Sequence, residues 1–270
     1  MQFGNLIQFQ EEIQNLDRPF EASIDAEGRE APRFKAIVSK QTNKVLAVVS
    51  QRYSIVQSQD VLANVVSALG KLGISEVSGT LVEQNGRTYA KIFLPNYVSE
   101  GMGEKDIQVG ILLVNSYDAT KAISLIGYAG RLVCSNGMIL DKIFGVKMVR
   151  KHVGHVHLRI EEAVMEIVRN IVEKSPYLAE LIQKAKKDFY EDFKAMDIEL
   201  KALGFGESVR EKILMKLEYS ANKYSRWDLY NAITNLYSRK RISENGQIAS
   251  LKKAEQLLVA PAISSFTELN

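Results

Sequence analysis

The order of apolar and polar positions divides the chain into a first half of short runs and a second half of helical repeats. The densest region is residues 110–140, GILLVNSYDATKAISLIGYAGRLVCSNGMIL, in which Ile111–Val114 and Ile123–Tyr128 flank the polar knot Asn115-Ser116-Tyr117-Asp118-Ala119-Thr120. A second knot, Cys134-Ser135-Asn136-Gly137, follows Arg131-Leu132-Val133. Apolar runs of this length bounded by Asn, Asp, Ser and Gly predict buried strands joined by tight turns, with both knots at strand ends. Small hydrogen-bonding side chains at such places either shape the turn or hold a ligand. Both roles stay open for Asn115, Ser116, Asp118 and Asn136.

Upstream, residues 5–16 set Leu6, Phe9, Ile13 and Leu16 on one face of a short helix. Residues 17–33 are acidic and polar, with Pro19, Gly28 and Pro32, and read as a loop or arm awaiting a partner. Phe34–Ser39 and Val45–Ser50 alternate around Gln41-Thr42-Asn43-Lys44 and predict a hairpin. Arg52–Val56 is extended and leads to a helix from Ser58 to Leu72 that buries Val61, Leu62, Val65, Val66 and Leu69. Ser75–Glu83 and Arg87–Leu94 flank Gln84-Asn85-Gly86, where Asn-Gly supplies the positive φ angles of a type I′ turn. Pro95–Asp106 reads as a flexible loop, and Ile139–Val153 adds one or two strands.

After His157 the period changes. Ile160, Val164, Ile167, Val168 and Ile171 recur at helical spacing. Ser175-Pro176 reads as an N-cap with proline at the first helical position, opening a helix from Tyr177 to Met196. A break at Gly204-Phe205-Gly206 precedes a helix over Glu207–Ser220. Ser225-Arg226-Trp227-Asp228 has the spacing of a capping box, with Asp in place of the commoner Glu, and starts a helix carrying Trp227, Tyr230, Ile233, Thr234 and Tyr237. A last helix runs from Gly246 to Leu258. The expected fold is α+β: a mainly antiparallel sheet region with a packed helix, followed by a C-terminal helical region. The expected divisions are an N-terminal helix and acidic arm (1–33), a sheet-rich core (34–157), a helical region (158–260) and a tail (261–270).

Composition changes this picture little. The net charge is +3, with 16 basic and 15 acidic residues in positions 1–150 and 19 and 17 in the remainder, so any basic surface must be local. One cysteine, Cys134, excludes an internal disulfide and fits a reducing compartment. No run approaches the roughly 18 apolar residues of a membrane span, and the N-terminus MQFGNLIQFQEE lacks signal-peptide features. The expectation is a cytoplasmic protein with no membrane partner.

Four short motifs in order resemble the phage/plasmid-like family known as domain of unknown function 932. They are Asn115-Ser116-Tyr117-Asp118, Arg131-Leu132-Val133-Cys134-Ser135-Asn136-Gly137, Val149-Arg150-Lys151-His152-Val153-Gly154 and Trp227-Asp228-Leu229-Tyr230-Asn231-Ala232-Ile233-Thr234. The likeness covers roughly residues 35–260. The chain departs from the pattern at Tyr117, where the family has His. The resemblance implies a mobile-element origin and carries no mechanism.

From Lys142 to Ile160 there are five basic residues, Lys142, Lys147, Arg150, Lys151 and Arg159, and no acidic one. His152, His155 and His157 interleave them. A strand edge of this kind can track a phosphate backbone. Arg131, Lys147, Arg150, Lys151 and His152 are the candidate nucleic-acid contacts, and Arg52-Tyr53 and Tyr89 offer cation and aromatic faces for unstacked bases. The blander roles are a solvated charged face and core aromatics. Neutral imidazoles two residues apart on a strand suit a metal ion, with Asp118 or Asp141 to complete the site. His155 and His157 share a face while His152 lies on the opposite one of a regular strand, so a half-exposed strand is the leading role and neither metal nor other cofactor is assigned. Cys134 reads as a buried thiol, with His152 the one imaginable base for it. No Walker loop, dinucleotide fingerprint or Ser-His-Asp signature is present, and no catalytic residue is assigned. The leading expectation is a single-stranded DNA-binding homo-oligomer of annealing or recombination type. The order of elements is similar to the sheet-and-helix core of single-strand annealing proteins, an analogy of topology alone. The alternatives are a non-enzymatic structural or host-interaction protein of a phage, and a metal-dependent nuclease using Asp118 and His152.

Overall fold

The computed structural model describes residues 1–26, 29–95, 107–131, 137–139, 147–153, 159–217, 223–238 and 247–259. In chain order the elements are β1 (Gln2–Phe3), α1 (Leu6–Gln14), β2 (Phe20–Ala22), β3 (Asp25–Ala26), β4 (Arg29–Glu30), β5 (Phe34–Val38), β6 (Val45–Ser50), α2 (Ser58–Lys71), β7 (Ser78–Gln84) and β8 (Arg87–Phe93). They continue with β9 (Ile107–Ser116), β10 (Ile123–Arg131), β11 (Gly137–Ile139), β12 (Lys147–Arg150), α3 (Ile160–Lys187), α4 (Phe193–Ala202), α5 (Glu207–Leu214), α6 (Arg226–Ser238) and α7 (Gln247–Val259). The fold is α+β with antiparallel sheets and a C-terminal helical region. Two compact units share the chain: residues 1–96, 110–127 and 146–171 form one, and residues 97–109, 128–145 and 172–270 the other.

In the first unit the larger sheet runs β1-β7-β8-β9-β10, with β12 beside β10. Register places Leu81, Ala90 and Leu113 in one row, Ile92 and Ile111 in the next, and Glu83, Thr88 and Asn115 in a third, all on one face. Thr88 and Asn115 bond Ser58 at the start of α2, so this is the face that α2 covers. Helix α2 brings Val61, Leu62, Val65, Val66 and Leu69 to it, all buried, and α1 packs on α2 with Phe9 and Ile13. The β7–β8 turn has the expected positive φ at Asn85 (51°) and Gly86 (69°). A separate sheet, β2-β5-β6, packs Ile37 and Val49 against Tyr53 and Tyr117.

In the second unit β11 pairs with Tyr128–Gly130 of β10, and α6 and α7 pack on each other and on β11. The capping box is present: Asp228 Oδ2 accepts the Ser225 N–H at 2.9 Å, and the Asp228 N–H donates to Ser225 Oγ at 3.3 Å.

Three expectations change. Residues 20–22 are no free arm: Phe20, Glu21 and Ala22 pair with Val38, Ile37 and Ala36. Asp17 holds the entry, its Oδ1 accepting the N–H groups of Lys40 and Gln41. Ser175-Pro176 opens no new helix, because α3 runs through Pro176. The buried stripe of Val164, Ile167, Ile171, Ser175, Leu178 and Ile182, apolar but for the serine, stays in phase across the proline, so burial outweighs the lost backbone donor. The helix expected to reach Met196 ends at Lys187, and α4 starts afresh where Asp192 accepts the Ala195 N–H at 2.8 Å. The 96–106 loop, Asn136, Cys134, Asp141, Lys142, His155, His157 and the tail lie outside the described residues.

Candidate nucleic-acid interface

Strand β9 ends in the polar knot, whose polar side chains have partners distant in sequence or across a turn. Asn115 is fully buried, with Nδ2 donating to Val56 O and Ser58 Oγ, both at 2.9 Å. Ser116 Oγ donates to Lys121 O and accepts from Lys121 N, closing the turn. Tyr117, also fully buried, accepts the Ser58 N–H on its hydroxyl at 2.8 Å. Burial pushes that phenol up to about 12. Asp118 accepts from Arg87 Nε at 2.7 Å and from Thr120 N–H at 3.0 Å. Burial works to raise its carboxyl, and the Thr120 and Arg87 hydrogen bonds outweigh it, so the group lies below its usual value. This knot fastens β9 to the start of α2 and to β8.

His152 is buried next to Tyr53. Their rings stack with centroids 5.1 Å apart. A carbonyl can only accept, so the 3.2 Å contact with Ser54 O fixes the proton on His152 Nδ1. Burial holds the imidazole below its usual value, against the Ser54 hydrogen bond. In return His152 O accepts the Ser54 N–H at 3.1 Å, and Tyr53 and Val153 form an antiparallel bridge. The Tyr53 hydroxyl donates to Ser116 O at 3.0 Å. Tyr53 therefore belongs to the core, and the same holds for Tyr89 at 2% exposure; neither ring is offered to a base.

The bridge has a consequence for charge. Residues 31–59 carry Arg33, Lys35, Lys40, Lys44 and Arg52 and no Asp or Glu, a second acid-free segment matching 142–160. The Tyr53–Val153 pairing ties the two segments side by side. Arg52, Arg150 and Lys151, each one to three residues from that bridge, are exposed. None of the three forms an ion pair with a described residue, whereas Arg159 meets Glu162 at 3.4 Å. Arg131 ends β10 and Lys147 opens β12; their side chains, like Asn136, lie outside what is described. The 31–59 segment was readable in the sequence from its missing carboxylates; its pairing with the histidine segment, a hundred residues away, was not.

A cleft of about 430 Å³ lies at the turns of the β5–β6 and β7–β8 hairpins, lined by Asp17, Lys44, Glu83 and Tyr117 among others. Its carboxylates already hold the fold together: Glu83 Oε2 accepts the Asp17 N–H at 2.7 Å, and its Oε1 accepts from Thr88. Among the described residues, no group of three His, Cys, Asp or Glu side chains is placed to hold a metal ion. No described helix is long and apolar enough to cross a membrane.

The family model described as domain of unknown function (DUF932) matches residues 45–258. No curated protein and no solved structure matches the chain.

Proposed function

The chain belongs to the DUF932 family, a premise that names no activity, and from its own residues we propose that it is a single-stranded nucleic-acid-binding protein of annealing or recombination type, acting as a homo-oligomer for a mobile element. The observation that supports this most is the side-by-side tie of two acid-free basic segments through Tyr53 and Val153. Exposed cations with no competing carboxylate release counterions when they meet phosphates, which gives sequence-independent affinity. Arg52, Arg150 and Lys151 make the phosphate contacts, Lys147 extends the row along β12, and Arg131 is a further contact. His152 and Tyr53 act from beneath, holding the two segments together. The mobile-element setting follows the phage/plasmid-like resemblance of the sequence.

The test is binding of a fluorescent single-stranded DNA oligonucleotide to the wild-type chain and to Arg150→Glu/Lys151→Glu. Roughly tenfold or greater weakening at about 100 mM salt is expected. Equal affinity in the two proteins contradicts the reading. Metal-dependent strand cleavage abolished by Asp118→Ala replaces it with a nuclease.

A further inference from the structure

The small sheet β2-β5-β6 has two unlike faces. Its inner face carries Ile37 and Val49, which pack on Tyr53 and Tyr117, and the ion pair of Lys35 with Glu21 at 2.7 Å. Register sends Phe20, Phe34, Val45 and Val48 to the other face. Those four are 45%, 49%, 60% and 61% exposed, an unusual concentration of uncovered apolar surface. Its frame is cationic. Arg33 and Arg52 stand at one end of the strands and Lys40 and Lys44 at the other, all exposed. The one carboxylate on these three strands, Glu21, is turned to the inner face and paired.

We infer that this face is a base-stacking platform for single-stranded nucleic acid, with Phe20 and Phe34 as the stacking rings. The inference rests on the single-strand-binding reading and supplies the aromatic contacts that Tyr53 and Tyr89, being buried, do not. Phe20 lies opposite Val38, four residues along β5 from Phe34. At ~3.3 Å per residue the two ring positions are about 13 Å apart. That distance spans about four stacked nucleotide steps at ~3.4 Å each. Half-exposed aromatic rings on a sheet, bordered by cations at both ends, are what an unpaired strand needs: π-faces for the bases and charge for the phosphates. The four exposed cations at the strand ends favour an anionic strand over an apolar protein partner.

The experiment measures binding of oligothymidylate of about 20 nucleotides, and of an abasic strand of equal length, which keeps the phosphates and lacks the bases. The proteins are wild type, Phe20→Ala/Phe34→Ala, Phe20→Leu/Phe34→Leu and Phe20→Tyr/Phe34→Tyr. Both rings are about half exposed, so all variants are expected to fold; the Leu pair keeps apolar bulk without a π-face and guards against a folding effect. The Ala and Leu variants should bind oligothymidylate weaker by roughly 5- to 100-fold for each ring removed. They should bind the abasic strand as wild type does, and the Tyr variant should bind both normally. Unchanged oligothymidylate affinity in the Ala and Leu variants overturns the platform, and leaves the binding reading standing if Arg150→Glu/Lys151→Glu is still weakened. A change of molecular mass by light scattering at unchanged affinity assigns the face to a second copy and also overturns it. No binding by the wild-type protein overturns both.

Discussion

Helix α2 begins without a side-chain cap of its own, since Gln57 makes no capping hydrogen bond, and the Tyr117 hydroxyl accepts the Ser58 N–H in its place. Replacing Tyr117 by Phe leaves that buried donor without its acceptor, and a loss of about 1–3 kcal/mol in unfolding free energy is expected from denaturant titration. Such a role answers why Asn115, Ser116 and Asp118 sit where they do. The strand-end position was legible in the sequence, but the partners Val56 and Ser58 lie almost sixty residues upstream, and local pattern could not tell a turn from a ligand site. His152 has a signature in pH. Its folded value is depressed, so its neutral form is native, and the stability it contributes is complete above about pH 6.5 and lost as pH falls through the folded value. His152→Asn keeps a donor for Ser54 without titrating. The stability difference between wild type and this variant, taken from unfolding curves between about pH 8 and pH 5, should shrink with acidification; a constant difference contradicts the assignment.

At the level of elements, signals carried by adjacent residues were legible and those requiring a distant partner were not. The Asn85-Gly86 hairpin turn and the Ser225–Asp228 box each specify their structure within four residues. Ser225→Ala or Asp228→Ala should each cost about 1 kcal/mol, with the double variant costing less than the sum because the two bonds are reciprocal. Pro176 misled for a physical reason. Its local preference is for a first turn, while the in-phase stripe from Val164 to Ile182 holds one continuous helix through it. Pro176 itself is exposed. Pro176→Ala should therefore restore the backbone donor without opening a cavity and raise stability by up to about 3 kcal/mol, read as a higher melting temperature. A lower one would mean that the helix needs its proline. Strand β2 was missed because Phe20-Glu21-Ala22 is too short to show a period and owes its order to β5.

In the molecule as a whole, charge is used in two ways. In the second unit Arg226, 4% exposed, pairs with the buried Glu199, which also accepts from the Tyr190 hydroxyl. Glu199→Ala takes the short partner from a buried guanidinium, leaving it the longer 3.7 Å pairing with Asp188, and should cost up to about 3–5 kcal/mol. In the first unit Arg52, Arg150 and Lys151 are left at the surface, where they add little to stability, and this contrast motivates a role in binding. The near-neutral total charge hid that arrangement, because acids elsewhere in the chain balance the two basic segments. The most direct measurement is the salt dependence of single-stranded DNA binding by wild type and by Arg150→Glu/Lys151→Glu. A straight fall of log affinity with log salt is expected, with the slope of the double variant shallower by at least about 1.4, from ~0.7 for each phosphate no longer neutralised. Binding that is indifferent to salt, or identical slopes for the two proteins, would contradict a phosphate-tracking surface at Arg150 and Lys151.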